Sequence, residues 1–316
     1  MPASAQKQVY CSDLSLQAGE LLYGTATQTQ AYLLLEYAGT LGGKALDEST
    51  LPEPVKARLN ALGKEIRGLK TLLIKTQSLQ LPVAGVRFFV ASVAADPPRL
   101  YAFQLADYAA LLELDIHAIL AGDPAYEPHL RAAPLYLVCV NGRRDLCCAH
   151  YGIPVYNALS AATQSSPEPL VWQCTHVGGH RFAANLICLP AGILYGRVRP
   201  ETALAILETD RLGRIYLPNL RGRLSDPAVA QAAEFYLRQQ RGDDLLEAYR
   251  LIDTQENSPG EWVVRFGVFP GDEVLVVRLS RVVMDEQTFE SCSQEKSTPI
   301  IKYEFRRIYP QGLKIV

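Results

Sequence analysis

Soft ligand-type side chains crowd into one stretch of this 316-residue chain: five of its seven Cys and three of its five His lie between positions 139 and 188. Their spacing constrains the fold. Eight residues separate Cys139 from Cys148, twenty-seven separate Cys148 from His176, and three separate His176 from His180. The His-x3-His step suits a zinc finger, but the Cys pair is too widely spaced for one. A folded sheet is needed to bring these residues to one place.

The rest of the chain is that of an ordinary globular protein, 48% apolar and 20% charged. At ~150 residues per domain its length allows about two domains, with enough core to need no staples. The formal net charge is −2 and the pI about 6.2, so no global field draws in nucleic acid or an anionic membrane. The longest nearly apolar stretch, residues 186–196, falls far short of the ~20 residues that span a bilayer. Residues 1–7 show no apolar signal segment, and the odd Cys count argues for thiols or thiolate ligands over disulfides. We therefore expect a cytoplasmic protein. Arg outnumbers Lys 22 to 9, and no Lys occurs from 76 to 295.

Residues 1–28 are polar and small and read as a loosely held arm. Buried strands are expected at 31–37, 69–76, 87–93 and 100–104, with helices at 51–68 and 106–120. The order then restarts: strands at 135–140, 170–174, 185–189 and 193–198, helices at 151–164 and 200–209. Both halves read β-α-β-β-β-α. Arg87-Phe88 and Leu100-Tyr101 match Arg181-Phe182 and Leu194-Tyr195 at a constant offset of 94. After residue 225 we expect a helix to about 240 and strands at 262–268, 273–283 and 299–308. The expected organisation is a degenerate domain at 1–125, a ligand-carrying domain at 126–225 and a mixed α/β extension at 226–316.

Cys139 ends an apolar strand and feeds a polar loop over 140–149, while Gly178-Gly179 makes a helix through the two His improbable. His176 and His180 then lie on a bend that lets both rings converge. Two thiolates and two imidazoles suit zinc or an iron–sulfur cluster. Cys147-x2-His150 and Cys174-x-His176 occur in the reverse of Rieske order, and no Cys-x2-Cys dithiol is present. Asp145 is expected to bond its own loop. Arg143, Arg144, Arg181 and Arg197 lie nearby in sequence, as partner-docking or rim residues, and Arg181 is the first candidate to support a ligand. Cys174 and Cys188 read as core, Cys292 as a lone thiol, and Cys11 has no visible partner. No Gly-x-Gly-x-x-Gly fingerprint suggests a bound nucleotide.

The string Cys139-x4-Arg144-Asp145-x2-Cys148, followed by His176-x-Gly-Gly-His180-Arg-Phe-Ala-Ala-Asn185, resembles the sucrase/ferredoxin-like family. Cys11-Ser, Gly24-Thr-Ala and the Leu34-Leu-Glu stretch extend the resemblance over about residues 11–200. It implies a thioredoxin-like ferredoxin with a 2Fe–2S cluster on Cys139, Cys148, His176 and His180, so that with the repeat the chain is expected to be α/β with two thioredoxin-like domains in tandem, the second carrying the cluster. Arg144-Asp145 sets the register that selects Cys148 over Cys147. One-electron transfer to an unnamed redox partner protein follows, or redox sensing, rather than an enzyme with its own substrate. Neutral imidazoles in place of thiolates imply a potential above the roughly −400 mV of all-Cys clusters and dependent on pH. Glycoside hydrolysis needs paired carboxylates, and the motif region offers only Asp145 and Glu168. A structural zinc module and a thiol oxidoreductase using Cys147 or Cys148 are the alternatives.

Overall fold

A computed structural model describes residues 9–77 and 84–312. A helix α1 (Cys11–Gln17) precedes β1 (Ala31–Glu36), α2 (Glu53–Glu65), β2 (Leu69–Lys75), β3 (Val86–Ser92), β4 (Arg99–Leu105) and α3 (Ile116–Ala121). Then come β5 (Leu135–Cys139), α4 (Leu146–Ala162), β6 (Val171–Cys174), β7 (Leu186–Leu189), β8 (Ile193–Tyr195), α5 (Pro200–Arg211) and β9 (Leu220–Arg223). The tail contributes α6 (Ala228–Arg241), β10 (Tyr249–Ser258), β11 (Glu261–Val268), β12 (Val274–Thr288) and β13 (Thr298–Pro310).

The molecule is mixed α/β. Nine strands form one sheet in the order β4-β3-β1-β2-β6-β5-β7-β8-β9, and the tail forms a separate sheet, β10-β11-β12-β13. The first half runs 4-3-1-2 and the second 6-5-7-8, so each half repeats the same neighbours. In each, the first two strands pair parallel and the remaining pairs are antiparallel. The halves join in one sheet where β2 pairs antiparallel with β6, at Ile74↔Cys174 and Lys75↔Gln173 among the described residues.

Continuous apolar runs explain why β1 and β5 sit at the centres of their halves. All five residues of β5 and five of the six in β1 are buried, as expected for strands covered on both faces. Leu33, Leu35 and Val138 pack on one face with Val55, Leu159 and Ile206 of the helices. Tyr32, Leu34, Leu137 and Cys139 point to the other, with Trp172 and Ile187. The tail sheet packs Val264, Phe266, Val277 and Leu279 against Ala230, Ala233 and Leu237 of α6. A buried ion triad anchors that helix: Glu234 accepts from Arg238 (2.8 Å) on its own helix and Arg223 (3.2 Å) at the end of β9.

Several sequence expectations need correction. Within the expected loose arm, the described residues include α1, whose Cys11, Ser12 and Ser15 are buried; residues 1–8 lie outside the described residues. Residues 146–149 belong to α4 rather than to a loop, because Asp145 caps that helix by accepting the Cys147 N–H at 3.0 Å. Strands β9 and β10 were not anticipated; β10 is polar and half exposed, so it carries no apolar signal. β12 continues to Thr288, beyond the expected end at 283. Of the residues matched at offset 94, Leu100-Tyr101 and Leu194-Tyr195 occupy equivalent strands, β4 and β8. Arg87-Phe88 lies in β3, but Arg181-Phe182 lies in a 3-10 turn before β7.

Candidate metal centre

Three chain segments meet at the edge where β5 and β6 end. Cys139 closes β5 and is 1% exposed. Gly152 lets α4 approach it closely, since a Cβ there would lie 2.2 Å from the Cys139 carbonyl. Cys148 sits in the first turn of α4, also 1% exposed, where the helix dipole favours a thiolate. After β6, residues 175–180 bend through Gly178 (φ 97°) and Gly179 (φ 73°), a conformation only Gly adopts without strain.

That bend brings the two imidazoles together: the His176 and His180 rings stack with centroids 3.9 Å apart and planes inclined by 20°. The ligand atoms of Cys139, Cys148 and His176 all lie within 4.8 Å of one another. His180 Nδ1 lies 3.4 Å from Cys148 Sγ. All four residues singled out in the sequence are thus in one place, and Cys148 rather than its neighbour Cys147 faces it. Cys174, the parallel partner of Cys139 across β5 and β6, stays in the core, with its thiol pushed up by burial. Cys188 is likewise core.

The electrostatics favour the ligating form at Cys139 and His180. The Cys139 thiol is brought down to about 5, first by the hydrogen bond from Cys148 and further by His176, against the cost of burial. Cys148, the donor of that bond, is raised by it and by burial. His180 is held down to about 4, first by burial and then by His176, so its ring is neutral at pH 7 with a lone pair to offer. The buried thiols form the inner end of the site. The His rings form the outer end, where half-buried His176 meets a pocket of about 490 Å³ that also touches Arg144, Arg181 and Gln294.

A network missed in the sequence fixes the bend. Arg221 of β9 is 1% exposed and donates to the Gly178 carbonyl (3.0 Å), Asn185 Oδ1 (2.7 Å), Thr25 Oγ1 (3.0 Å) and the Thr25 carbonyl. Asn185 Nδ2 in turn donates to the Gly179 carbonyl at 3.0 Å. Asn185 lies inside the legible motif; Arg221 is a single Arg on an unrecognised strand and gave no signal. Arg181, the expected supporting residue, turns away to Glu20 (2.8 and 3.0 Å) and stacks on Phe182. Arg197 donates to Ser15 at 2.8 Å. Arg143 and Arg144 are exposed.

Cys147 faces elsewhere. It lies 3.4 Å from Cys11 and 3.2 Å from Cys292, beside Asp145. Neither Cys11 nor Cys292 was connected to it in the sequence, because no spacing rule links positions so far apart.

Among the described residues, no helix is long and apolar enough to cross a membrane. The family model described as Sucrase/ferredoxin-like matches residues 22–222. Altered inheritance of mitochondria protein 32 from Meyerozyma guilliermondii is 33% identical over 81 residues, which cover 24% of this chain and 29% of that protein. The match therefore spans less than a third of that relative's length. No solved structure matches the chain.

Proposed function

Because the chain belongs to the sucrase/ferredoxin-like family, we propose that it is a cytoplasmic one-electron carrier or redox sensor whose 2Fe–2S cluster is held by Cys139, Cys148, His176 and His180. The supporting observation is the convergence of two thiols and two imidazoles where β5, the first turn of α4 and the Gly178-Gly179 bend meet. The donor types, two thiols and two imidazoles, suit a two-iron cluster with one iron on the Cys pair and the other on the His pair, and the 3.4 Å approach of Cys148 Sγ to His180 Nδ1 would widen to admit it. Such a cluster, when bound, accepts and returns a single electron. Cys139 supplies a thiolate, and His180 a neutral ring nitrogen. Arg221 and Asn185 hold the His-bearing bend. The buried Cys pair keeps water from the inner end, while His176 stays at the pocket. Exposed Arg144 on that pocket offers a cationic contact to an acidic redox partner, while Arg181 is paired with Glu20.

The shared strand order of the two halves supports reading them as tandem thioredoxin-like domains, 1–125 and 126–225, the first without ligands, followed by an extension at 226–316.

The second reading is a structural zinc site. The donor atoms of Cys139, Cys148 and His176 lie within the reach of a single ion. A thiol oxidoreductase is disfavoured, because Cys147 and Cys148 are 0% and 1% exposed and offer no sulfur to a substrate.

A mediated redox titration of anaerobically prepared protein separates these readings. The carrier shows one reversible one-electron transition per chain, at a potential above about −400 mV. No transition at any potential removes electron transfer and leaves zinc.

A further inference from the structure

Three sulfur atoms from distant parts of the chain meet one helical position away from the first centre. Cys11 of α1, Cys147 of α4 and Cys292 of the loop between β12 and β13 lie 3.4, 3.2 and 3.6 Å apart in their three pairings. With a Zn–S bond of ≈ 2.3 Å, the edge of a tetrahedral thiolate site is about 3.8 Å, so the three sulfurs are already near the corners of one face. An Asp145 carboxylate oxygen completes the group, all four ligand atoms lying within 4.8 Å of one another.

Further features suit a charged site. The backbone N–H of Cys11 points at Cys292 Sγ (3.4 Å) and that of Ser12 at Cys147 Sγ (3.5 Å), contacts that favour thiolates over thiols. Asp145 is held rigidly: Oδ1 accepts the Cys147 N–H (3.0 Å), and Oδ2 accepts the Cys292 N–H (2.8 Å) and the Ser291 hydroxyl (2.9 Å). Tyr10, Tyr151 and Phe289 pack around the sulfurs as an apolar shell. Cys292 is only partly buried and leaves a route from the surface. A disulfide would use two sulfurs and strand the third, whereas one ion uses all three.

We propose that Cys11, Cys147, Cys292 and Asp145 form a second, structural metal site that takes a soft divalent cation, zinc by its donor set. Binding displaces one proton from each thiol. The α4 N-terminus and the N–H donors offset the negative charge that results. The ion staples α1 and the β12–β13 loop to the first turn of α4. That turn carries Cys147 for this site and Cys148 for the other. Cys11 and Cys292 lie outside the family match at residues 22–222, whereas Asp145 and Cys147 lie inside it.

The test is the zinc content of the untagged full chain after equilibration with zinc and gel filtration, compared with Cys292→Ser. Cys292 lies on a partly exposed loop, so its replacement leaves the fold intact; Cys11→Ser is the second variant. The expected result is loss of one zinc per chain in each variant, with iron content and visible absorption unchanged. If the first centre holds zinc instead of a cluster, the count falls from two to one, and this site still stands. Equal zinc in the wild type and both variants overturns the proposal, as does recovery of the three Cys as a disulfide plus one free thiol.

Discussion

Arg221 donates to Asn185 Oδ1 at 2.7 Å, and that bond couples β9 to the bend carrying both candidate His ligands. Replacing Arg221 with Met leaves the Gly178 and Thr25 carbonyls and Asn185 Oδ1 buried without this donor. Each unpaired acceptor costs about 1–3 kcal/mol. We predict that Arg221→Met lowers stability by about 3 kcal/mol in urea unfolding and reduces metal retention at the His end. Wild-type stability and metal content in this variant would remove its positioning role.

Gly179 tests the same bend from the backbone side. Its φ of +73° disfavours any side chain, and an added Cβ would meet Arg221 Nη2 at 2.5 Å. Gly213 has a similar φ of +67° but nothing within 4 Å. Gly213→Ala is expected to cost about 1 kcal/mol from backbone strain alone, and Gly179→Ala about 2–3 kcal/mol together with loss of the metal. Equal costs for the two would mean that the Arg221 contact relaxes freely.

Cys147 and Cys148 are adjacent but should behave oppositely. Cys148→Ser is predicted to abolish iron binding. Cys147→Ser is predicted to keep the iron and lose the zinc. Iron loss in Cys147→Ser with retention in Cys148→Ser would reverse the assignment of the two residues.

How much of this was legible varied by residue. The His pair and its Gly-Gly bend are contiguous in the chain, so the sequence carried both the ligands and the reason they converge. Cys148 was separable from Cys147 only through the resemblance; in the structure one helical step turns their side chains into different surroundings. Cys11 and Cys292 were opaque, since their approach depends on α1 and on the path between β12 and β13, and neither has an apolar period. The repeated order of elements along the chain was readable from apolar runs, but the merging of both halves into one sheet rests, among the described residues, on two residue pairs of β2 and β6. No local pattern encodes so small a contact.

Asp226 makes stability depend on pH. Burial, and then the nearby Glu234 charge, raise its carboxyl from 3.8 to about 6. Because the folded value lies above the unfolded one, its contribution is fully present below about pH 4 and is lost as pH rises through about 6. A shift of about two units corresponds to about 3 kcal/mol. Asp226→Asn should therefore gain stability over the wild type at pH 7 and match it near pH 4. Unfolding curves with the same pH slope for both proteins would contradict this.

The most direct measurement is the iron and acid-labile sulfide content, with the visible spectrum, of the full chain purified without oxygen, beside His176→Ala. The account predicts a red-brown protein with about two irons and two sulfides per chain, and a colourless His176→Ala variant. A colourless wild type that takes up neither iron nor sulfide on reconstitution would contradict it.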